Sequence, residues 1–208
     1  MINILNIFSK IENCKYCIVK LSDTFPSYRK GDDIDIFCYS VDDIVSSLLI
    51  IGNNYINSGY NIKIKSIIKK EHVHVDFIIY NEIDIRFDIY GTLPEYNKIM
   101  IKPALFESII ENSIQVAYTT EYGPVIVKIP SVIDDMLIRY FEFVQWYDVR
   151  PDKIKHLSYI VDSLSESNRR QFFEKLHHYT KLPNTYYQEK NKISILCSLS
   201  NFIKKIFK

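Results

Sequence analysis

The 208-residue sequence has few glycines, few cysteines and no long uncharged apolar run. Structural zinc sites take four ligands, usually as two Cys or His pairs. This chain has one such pair, Cys14 and Cys17, and two single cysteines, Cys38 and Cys197, so we predict no structural zinc site. Polar residues interrupt every stretch of about 18 residues, which argues against a signal peptide or a membrane span. We therefore expect a cytoplasmic protein with reduced thiols.

The chain also lacks an excess of charge of either sign. Its 26 basic and 25 acidic residues give a formal net charge of +1 at pH 7. Because nucleic acids are bound largely through basic residues that neutralise phosphates, we do not expect long nucleic acid as a partner. Apolar residues, by contrast, make up 47% of the chain, which is enough to form a buried core.

Hydrophobic periodicity divides the chain into two halves. Strand-like runs dominate residues 1–102, and helical spacing dominates residues 103–208. We therefore predict an α/β (α+β) fold, with a mixed sheet and flanking helices followed by a helical C-terminal region. Residues 72–80 and 82–90 are predicted to pair as a hairpin because Asn81 and Glu82 leave only a tight link between them.

Two helix starts carry clear signals. Asp42 and Asp43 are predicted to open one helix, since acidic side chains are favourable in a first turn. Ser131 is predicted to cap a second helix, with Asp134 and Asp135 in its first turn. Both signals place helices beside predicted strands.

A short acidic segment, Gly-Asp-Asp-Ile-Asp-Ile-Phe over residues 31–37, is the most informative part of the sequence. Because strand side chains alternate between faces, Asp33 and Asp35 are predicted to point the same way, and Ile34 and Ile36 into the core. Two carboxylates so placed repel each other unless a cation lies between them. Carboxylate oxygens suit Mg²⁺ or Mn²⁺, which also accept phosphate oxygens as ligands. The solvent face of an ordinary edge strand is the alternative explanation.

Ser22, ten intervening residues and then Asp33-Ile34-Asp35-Ile36 resemble the motif of the DNA-polymerase-β-like nucleotidyltransferases. That family carries Gly-Ser at a strand end, then Asp-h-Asp-h with h hydrophobic, and a third carboxylate on a neighbouring strand. The resemblance covers residues 16–91. The chain departs from the motif at Leu21, which stands where the family has glycine.

The resemblance implies a nucleotidyltransferase that transfers a nucleoside monophosphate from an NTP, such as ATP, to an acceptor. It implies that Asp33 and Asp35 are catalytic metal ligands for Mg²⁺ or Mn²⁺. For the third carboxylate we favour Asp84, because the Ile-Asp-Ile-Arg run around it is similar to the corresponding strand of polymerase-β. Asp88, also predicted as a catalytic residue, is the second candidate, and Asp76 is the third.

Five residues are predicted to contact the nucleotide phosphates through hydroxyl or positively charged groups. Lys20 lies at the end of a predicted strand, Ser22, Arg29 and Lys30 belong to the loop that precedes the acidic segment, and Lys153 belongs to the helical half. The resemblance implies the roles of Ser22 and Lys153. Solvated surface is the alternative explanation for Lys153.

The acceptor stays open among a protein, an RNA end, a sugar phosphate and a small molecule. Two other interpretations also stay open. One is a catalytically inactive binding or regulatory module on the same fold. The other is a membrane-peripheral accessory protein of surface-glycan assembly, which would use an amphipathic C-terminal helix over residues 193–208. Its lysines and apolar residues suit either an anionic membrane surface or packing on the domain.

Histidines form one further pattern. His72, His74 and Asp76 are predicted to share one face of a strand, and His-x-His on a strand can bind zinc. Such a site needs a further ligand, and the sequence identifies none nearby. A polar sheet face is the alternative. His177 and His178 are adjacent on a predicted helix and point about 100° apart, which is poor geometry for one metal ion.

Overall fold

The computed structural model describes residues 2–180, which form two compact units. The first unit comprises Met1–Pro94 and Phe106–Pro130, and the second comprises Glu95–Leu105 and the chain from Ser131 onward. Two predictions fall outside the described residues: the thiol of Cys197 and the C-terminal helix over residues 193–208.

A five-stranded mixed sheet forms the centre of the first unit. Along the chain its strands are β1 (Tyr16–Val19), β2 (Asp32–Cys38), β3 (Ile62–Ile68), β4 (Val73–Ile79) and β5 (Glu82–Tyr90). In space the order is β1-β2-β5-β4-β3. The β2 and β5 strands are parallel, whereas the other neighbouring pairs are antiparallel. This mixed sheet, with helices flanking it, confirms the predicted fold class.

The predicted hairpin is present as β4 and β5. Its link lies one residue earlier than expected, because Tyr80 and Asn81 both take left-handed backbone conformations, with φ of 52° and 63°. Two consecutive residues of positive φ are typical of the tight turns that suit the twist of a β-hairpin.

One face of the sheet is apolar and packs against two helices, α1 (Ile4–Lys10) and α2 (Val41–Asn57). The second of these begins at the predicted acidic turn, where the Ser40 side chain caps the helix by accepting a hydrogen bond from the Asp43 amide. Alternate strand residues supply the sheet side of this core, which includes Ile18, Ile34, Ile36, Val75, Phe77, Ile85, Phe87 and Ile89. The opposite face of these strands is therefore the one on which their polar side chains lie.

A two-stranded hairpin, β6 (Ile114–Thr120) and β7 (Gly123–Ile129), completes the first unit after α3 (Ala104–Glu111). Its residues Val125 and Val127 join the same apolar core. The division at residue 102 expected from the sequence differs from these units, because a hairpin beyond that point belongs to the first one.

From Ser131 onward, the described part of the second unit is mainly helical. It contains α4 (Val132–Trp146), a 3-10 turn (Pro151–Lys153), α5 (Ile154–Ser163) and α6 (Glu166–Tyr179). Ser131 caps α4 as predicted, since its side chain accepts a hydrogen bond from the Asp134 amide. Among the described residues, no helix is both long enough and apolar enough to cross a bilayer.

Candidate active site

The two aspartates of the acidic segment lie on the polar face of the central sheet. In β2, Ile34 and Ile36 are buried, whereas Asp33 is exposed and Asp35 is half-buried. The parallel partner strand β5 also turns its apolar residues to the core, because Phe87 lies opposite Ile34 and Ile89 lies opposite Ile36. The two carboxylates therefore project together from the face opposite the core, as strand alternation predicts.

A third carboxylate, that of Asp88, lies beside this pair. In the parallel ladder of β2 and β5, Asp35 and Asp88 are direct Cα partners, and Asp33 is the partner of Arg86. Neighbouring strands are about 4.8 Å apart, and partner residues project from the same face. Asp33, Asp35 and Asp88 therefore form one acidic group, which we call the carboxylate triad.

Electrostatics within the carboxylate triad act against a negative charge on Asp88. Burial is the largest influence and raises the pKa of the Asp88 carboxyl above its ordinary value, while a hydrogen bond with His74 acts in the opposite direction. The negative charges of Asp35 and Asp33 raise this pKa further. A bound cation would relieve both the burial cost and the repulsion between these carboxylates.

Asp84, which the sequence favoured as the third carboxylate, lies at a different place on β5. Asp32 pairs with Ile85, so Asp84 precedes the part of β5 that faces β2, and its carbonyl accepts a hydrogen bond from the Gly31 amide at 3.0 Å. Asp84 lies four residues from Asp88 along the strand, which corresponds to about 13 Å. The structure brings Asp88, rather than Asp84, to the Asp33 and Asp35 carboxylates.

The side chain of Asp84 is also already engaged. It is buried, and its Oδ2 accepts a hydrogen bond from the Tyr28 hydroxyl at 2.5 Å and one from the Ile2 amide at 3.4 Å. Burial and this bond to Asp84 raise the pKa of Tyr28. Asp84 therefore links β5 to the loop before β2 and to the start of the chain.

Asp76, the third candidate, is held by an arginine. It lies on β4 opposite Arg86, whose Nε and Nη2 donate to the two Asp76 carboxylate oxygens at 2.6 and 3.0 Å. This two-pronged pairing neutralises a carboxylate that is 2% exposed. Arg86 is therefore the charge partner of Asp76.

Two histidines lie on the far side of Asp88 from β2. His74 of β4 is the Cα partner of Asp88, and its Nδ1 lies 2.5 Å from the Asp88 Oδ1. The Nε2 atoms of His72 and His74 are 3.2 Å apart, and the His72 ring stacks on Tyr90. Burial, followed by the neighbouring His74, lowers the pKa of His72. We call His72, His74 and Asp88 the histidine cluster.

Alternation along one strand had grouped the two histidines with Asp76, and Asp88 was missed as their neighbour. The link between them runs across strands, through the pairing of β4 with β5. The signal available in the sequence was the predicted hairpin, because its turn position sets which residues of its two strands face each other.

Four of the predicted phosphate-binding residues each have a partner of their own. The Ser22 hydroxyl lies 2.8 Å from the Thr24 hydroxyl in a local turn, and the Arg29 amide donates to Asp32. The Lys30 ammonium pairs with Glu82 at the start of β5, and Lys153 of the second unit pairs with Glu142 at 2.9 Å.

The fifth predicted phosphate-binding residue, Lys20, is adjacent to the carboxylate triad. The ammonium of Lys20, which directly follows β1, lies 3.0 Å from an Asp35 oxygen, and both side chains are largely buried. Lys20 is therefore a predicted phosphate-binding residue that lies at the site.

Comparisons with known proteins give one similarity of low degree. No family model matches the sequence, and no curated protein matches it. Among solved structures, the chain is similar to the crystal structure of an antigenic nucleotidyltransferase-like protein from Paracoccidioides brasiliensis. The two are 10% identical, with a TM-score of 0.46, over 94% of this chain and 90% of that chain.

Proposed function

We propose that the chain is a metal-dependent nucleotidyltransferase whose metal ligands are Asp33, Asp35 and Asp88. One observation carries this: the direct pairing of Asp35 with Asp88 across parallel strands, with Asp33 two residues away on the same face. Three carboxylates from two adjacent strands form a set of oxygen ligands on a sheet face. The third ligand is thus assigned to Asp88 in place of Asp84.

The chemistry of these ligands fits Mg²⁺ or Mn²⁺. All three are oxygen donors, and burial together with repulsion already disfavours the charged form of Asp88. When bound, the metal would neutralise phosphate oxygens of an NTP and so favour attack of an acceptor on the α-phosphate, with release of pyrophosphate. The acceptor stays open among the four classes named above.

The residues around the triad would fix the direction of its carboxylates and offset their negative charge. His74 contacts Asp88 at 2.5 Å and so fixes the direction of that carboxylate. Lys20 holds Asp35 at 3.0 Å and is close enough to the triad to approach an anionic phosphate there. Arg86 donates two hydrogen bonds to Asp76, and its positive charge also interacts with Asp33 and Asp88.

A catalytically inactive binding module is the second candidate function. The ion pair between Lys20 and Asp35 favours it, because the lysine already supplies positive charge where a metal would bind. The two functions differ in one product. An enzyme releases pyrophosphate from the NTP, whereas an inactive module binds the nucleotide and leaves it intact.

The first test is a thermal-unfolding screen of the four NTPs with and without Mg²⁺, followed by measurement of pyrophosphate release. We expect Mg²⁺-dependent stabilisation by at least one NTP, worth about 2.7 kcal/mol when the ligand is at 100 times its Kd. Asp33→Asn and Asp35→Asn should abolish it. Their turnover should fall on the order of 10³-fold, about 4 kcal/mol of transition-state stabilisation.

Asp32→Asn is the matched control, because it removes the same charge from the neighbouring residue, whose side chain alternates to the other face of β2. It should retain both the Mg²⁺-dependent shift and turnover. If folded Asp33→Asn and Asp35→Asn proteins both keep the Mg²⁺-dependent nucleotide shift, the assignment of these carboxylates as metal ligands is wrong.

A further inference from the structure

The histidine cluster has the composition of a site for a transition-metal ion. The ligand atoms of His72, His74 and Asp88 all lie within 4.8 Å of one another. Imidazole nitrogens suit Zn²⁺ and other first-row transition ions, whereas Mg²⁺ prefers oxygen ligands alone. The cluster therefore differs in chemistry from the carboxylate triad, although the two share Asp88.

The spacing of the imidazoles fits such an ion. Their Nε2 atoms are 3.2 Å apart. Zinc–nitrogen bonds are about 2.0–2.1 Å long, so two nitrogens at tetrahedral angles are about 3.3–3.4 Å apart. A small movement of either ring would accommodate an ion between them.

The surroundings hold both rings in place. Tyr90 stacks on His72 with ring centroids 4.7 Å apart, and Asp88 contacts His74 at 2.5 Å. A carboxylate beside a ligating histidine is a common feature of metal sites, because it fixes the ring and its tautomer. Within residues 2–180, the buried Nδ1 of His72 has no hydrogen-bond partner, so this ring is held by its stacking on Tyr90 and by the contact of its Nε2 with His74.

We propose that the histidine cluster binds one divalent transition-metal ion of the zinc class, with the His72 and His74 imidazoles as ligands and the Asp88 carboxylate holding His74 through its Nδ1. Two imidazole ligands leave the other tetrahedral positions for water or substrate. The side chains of His74 and Asp88 are 12% and 11% exposed, so solvent reaches both. This ion binds whether or not the chain transfers nucleotides.

The test is a calorimetric titration of the full chain, freed of metal, with Zn²⁺, together with a visible spectrum of the Co²⁺-loaded protein. We expect one ion per chain with a Kd of about 1 µM or tighter. His72→Gln and His74→Gln should each weaken binding on the order of 100-fold or more, since even residues behind metal ligands contribute 10–100-fold. His177→Gln, a histidine change in the second unit, is the matched control and should bind as the unchanged chain does.

Imidazole NMR signals test the site without any substitution. Zn²⁺ should shift the ring signals of His72 and His74 and leave those of His177 and His178 in place. Zn²⁺ binding that survives both cluster substitutions, or Co²⁺ spectra with thiolate bands from cysteines such as Cys14, would overturn the assignment, as would the absence of binding.

Variants separate this site from the proposed nucleotidyltransfer site. Asp33→Asn should lose the Mg²⁺-dependent NTP shift and keep Zn²⁺ binding. His72→Gln should lose Zn²⁺ binding and keep the NTP shift. Asp88→Asn should lose the NTP shift and weaken Zn²⁺ binding on the order of 10–100-fold, because it is a ligand in one group and positions His74 in the other. A histidine site that fails while the NTP shift persists would refute only the transition-metal site.

Discussion

Asp88 lies between a carboxylate and an imidazole: Asp35 is its partner on β2, and His74 is its partner on β4. Its carboxylate is thus repelled from one side and held by a hydrogen bond from the other. A site residue in this position has consequences for stability as well as for binding.

Asp88→Asn should stabilise the metal-free protein at neutral pH while abolishing Mg²⁺-dependent NTP binding. Burial and repulsion raise the pKa of Asp88 in the folded state, so between its unfolded and folded values the native state binds more protons. Stability therefore falls as pH rises through this window, and the neutral amide removes that loss. The expected gain is roughly 0.5–2 kcal/mol, the usual scale for relieving a conflict at a functional site.

Urea unfolding in EDTA at pH 7 and at about pH 4 measures this effect, since an ordinary Asp titrates near the lower value. The difference between Asp88→Asn and the unchanged chain should shrink at the lower pH. A variant that is less stable than the unchanged chain at pH 7 would show that the bond to His74 outweighs burial and repulsion.

Tyr28→Phe should destabilise the fold without affecting nucleotide binding. It removes the hydroxyl that donates to the buried Asp84 carboxylate at 2.5 Å. Loss of one partner of a buried charged group costs about 1–3 kcal/mol. Asp84→Asn is the companion change. It should keep the Mg²⁺-dependent NTP shift and turnover. Their loss from a folded Asp84→Asn protein would indicate that Asp84 is a metal ligand after all.

Arg86→Gln should be strongly destabilising, because it leaves Asp76 buried without its guanidinium partner. Breaking a buried ion pair by removing one member costs about 3–5 kcal/mol. Asp76→Asn combined with Arg86→Gln should recover much of that loss, since no uncompensated charge remains. Chemical unfolding of the two single variants and the double variant gives the coupling energy, and additive losses would contradict the pairing.

Gly52→Ala should destabilise the packing of α2 on the sheet. A Cβ at this position would lie 2.0 Å from Cδ1 and 2.7 Å from Cγ1 of Ile64, and 3.2 Å from a Phe77 ring atom. Overpacking of this kind costs about 1–3 kcal/mol and exceeds the helix-propensity gain of about 1 kcal/mol. Ile64→Val removes the closest atom and should partly rescue Gly52→Ala in thermal unfolding. A fully stable Gly52→Ala protein would contradict this packing.

Local patterns predicted those features that depend on one element alone. Strand alternation placed Asp33 and Asp35 on the face opposite Ile34 and Ile36, and the capping signal at Ser131 predicted the start of α4. Each depends on residues that are neighbours along the chain, so the sequence contains the whole signal.

Pairing between distant elements was not available from the sequence. Asp84 and Asp88 share one strand face, and only the offset of β5 relative to β2 decides which of them meets Asp35. That offset depends on contacts at both ends of the strand, such as the bond between the Gly31 amide and the Asp84 carbonyl. The membership of β6 and β7 in the first unit is equally non-local, since it rests on packing of Val125 and Val127 in the core.

The row of polar residues on β5 also determines the register of this strand in the sheet. Asp84 bonds to Tyr28 in the loop before β2, Arg86 and Asp88 bond to β4, and Asp88 also lies beside Asp35 of β2. A slip of β5 by one residue would turn this row into the core and move its apolar residues to the polar face. All three polar connections would break together. The charged residues at the candidate site therefore also fix the register of β5 in the sheet.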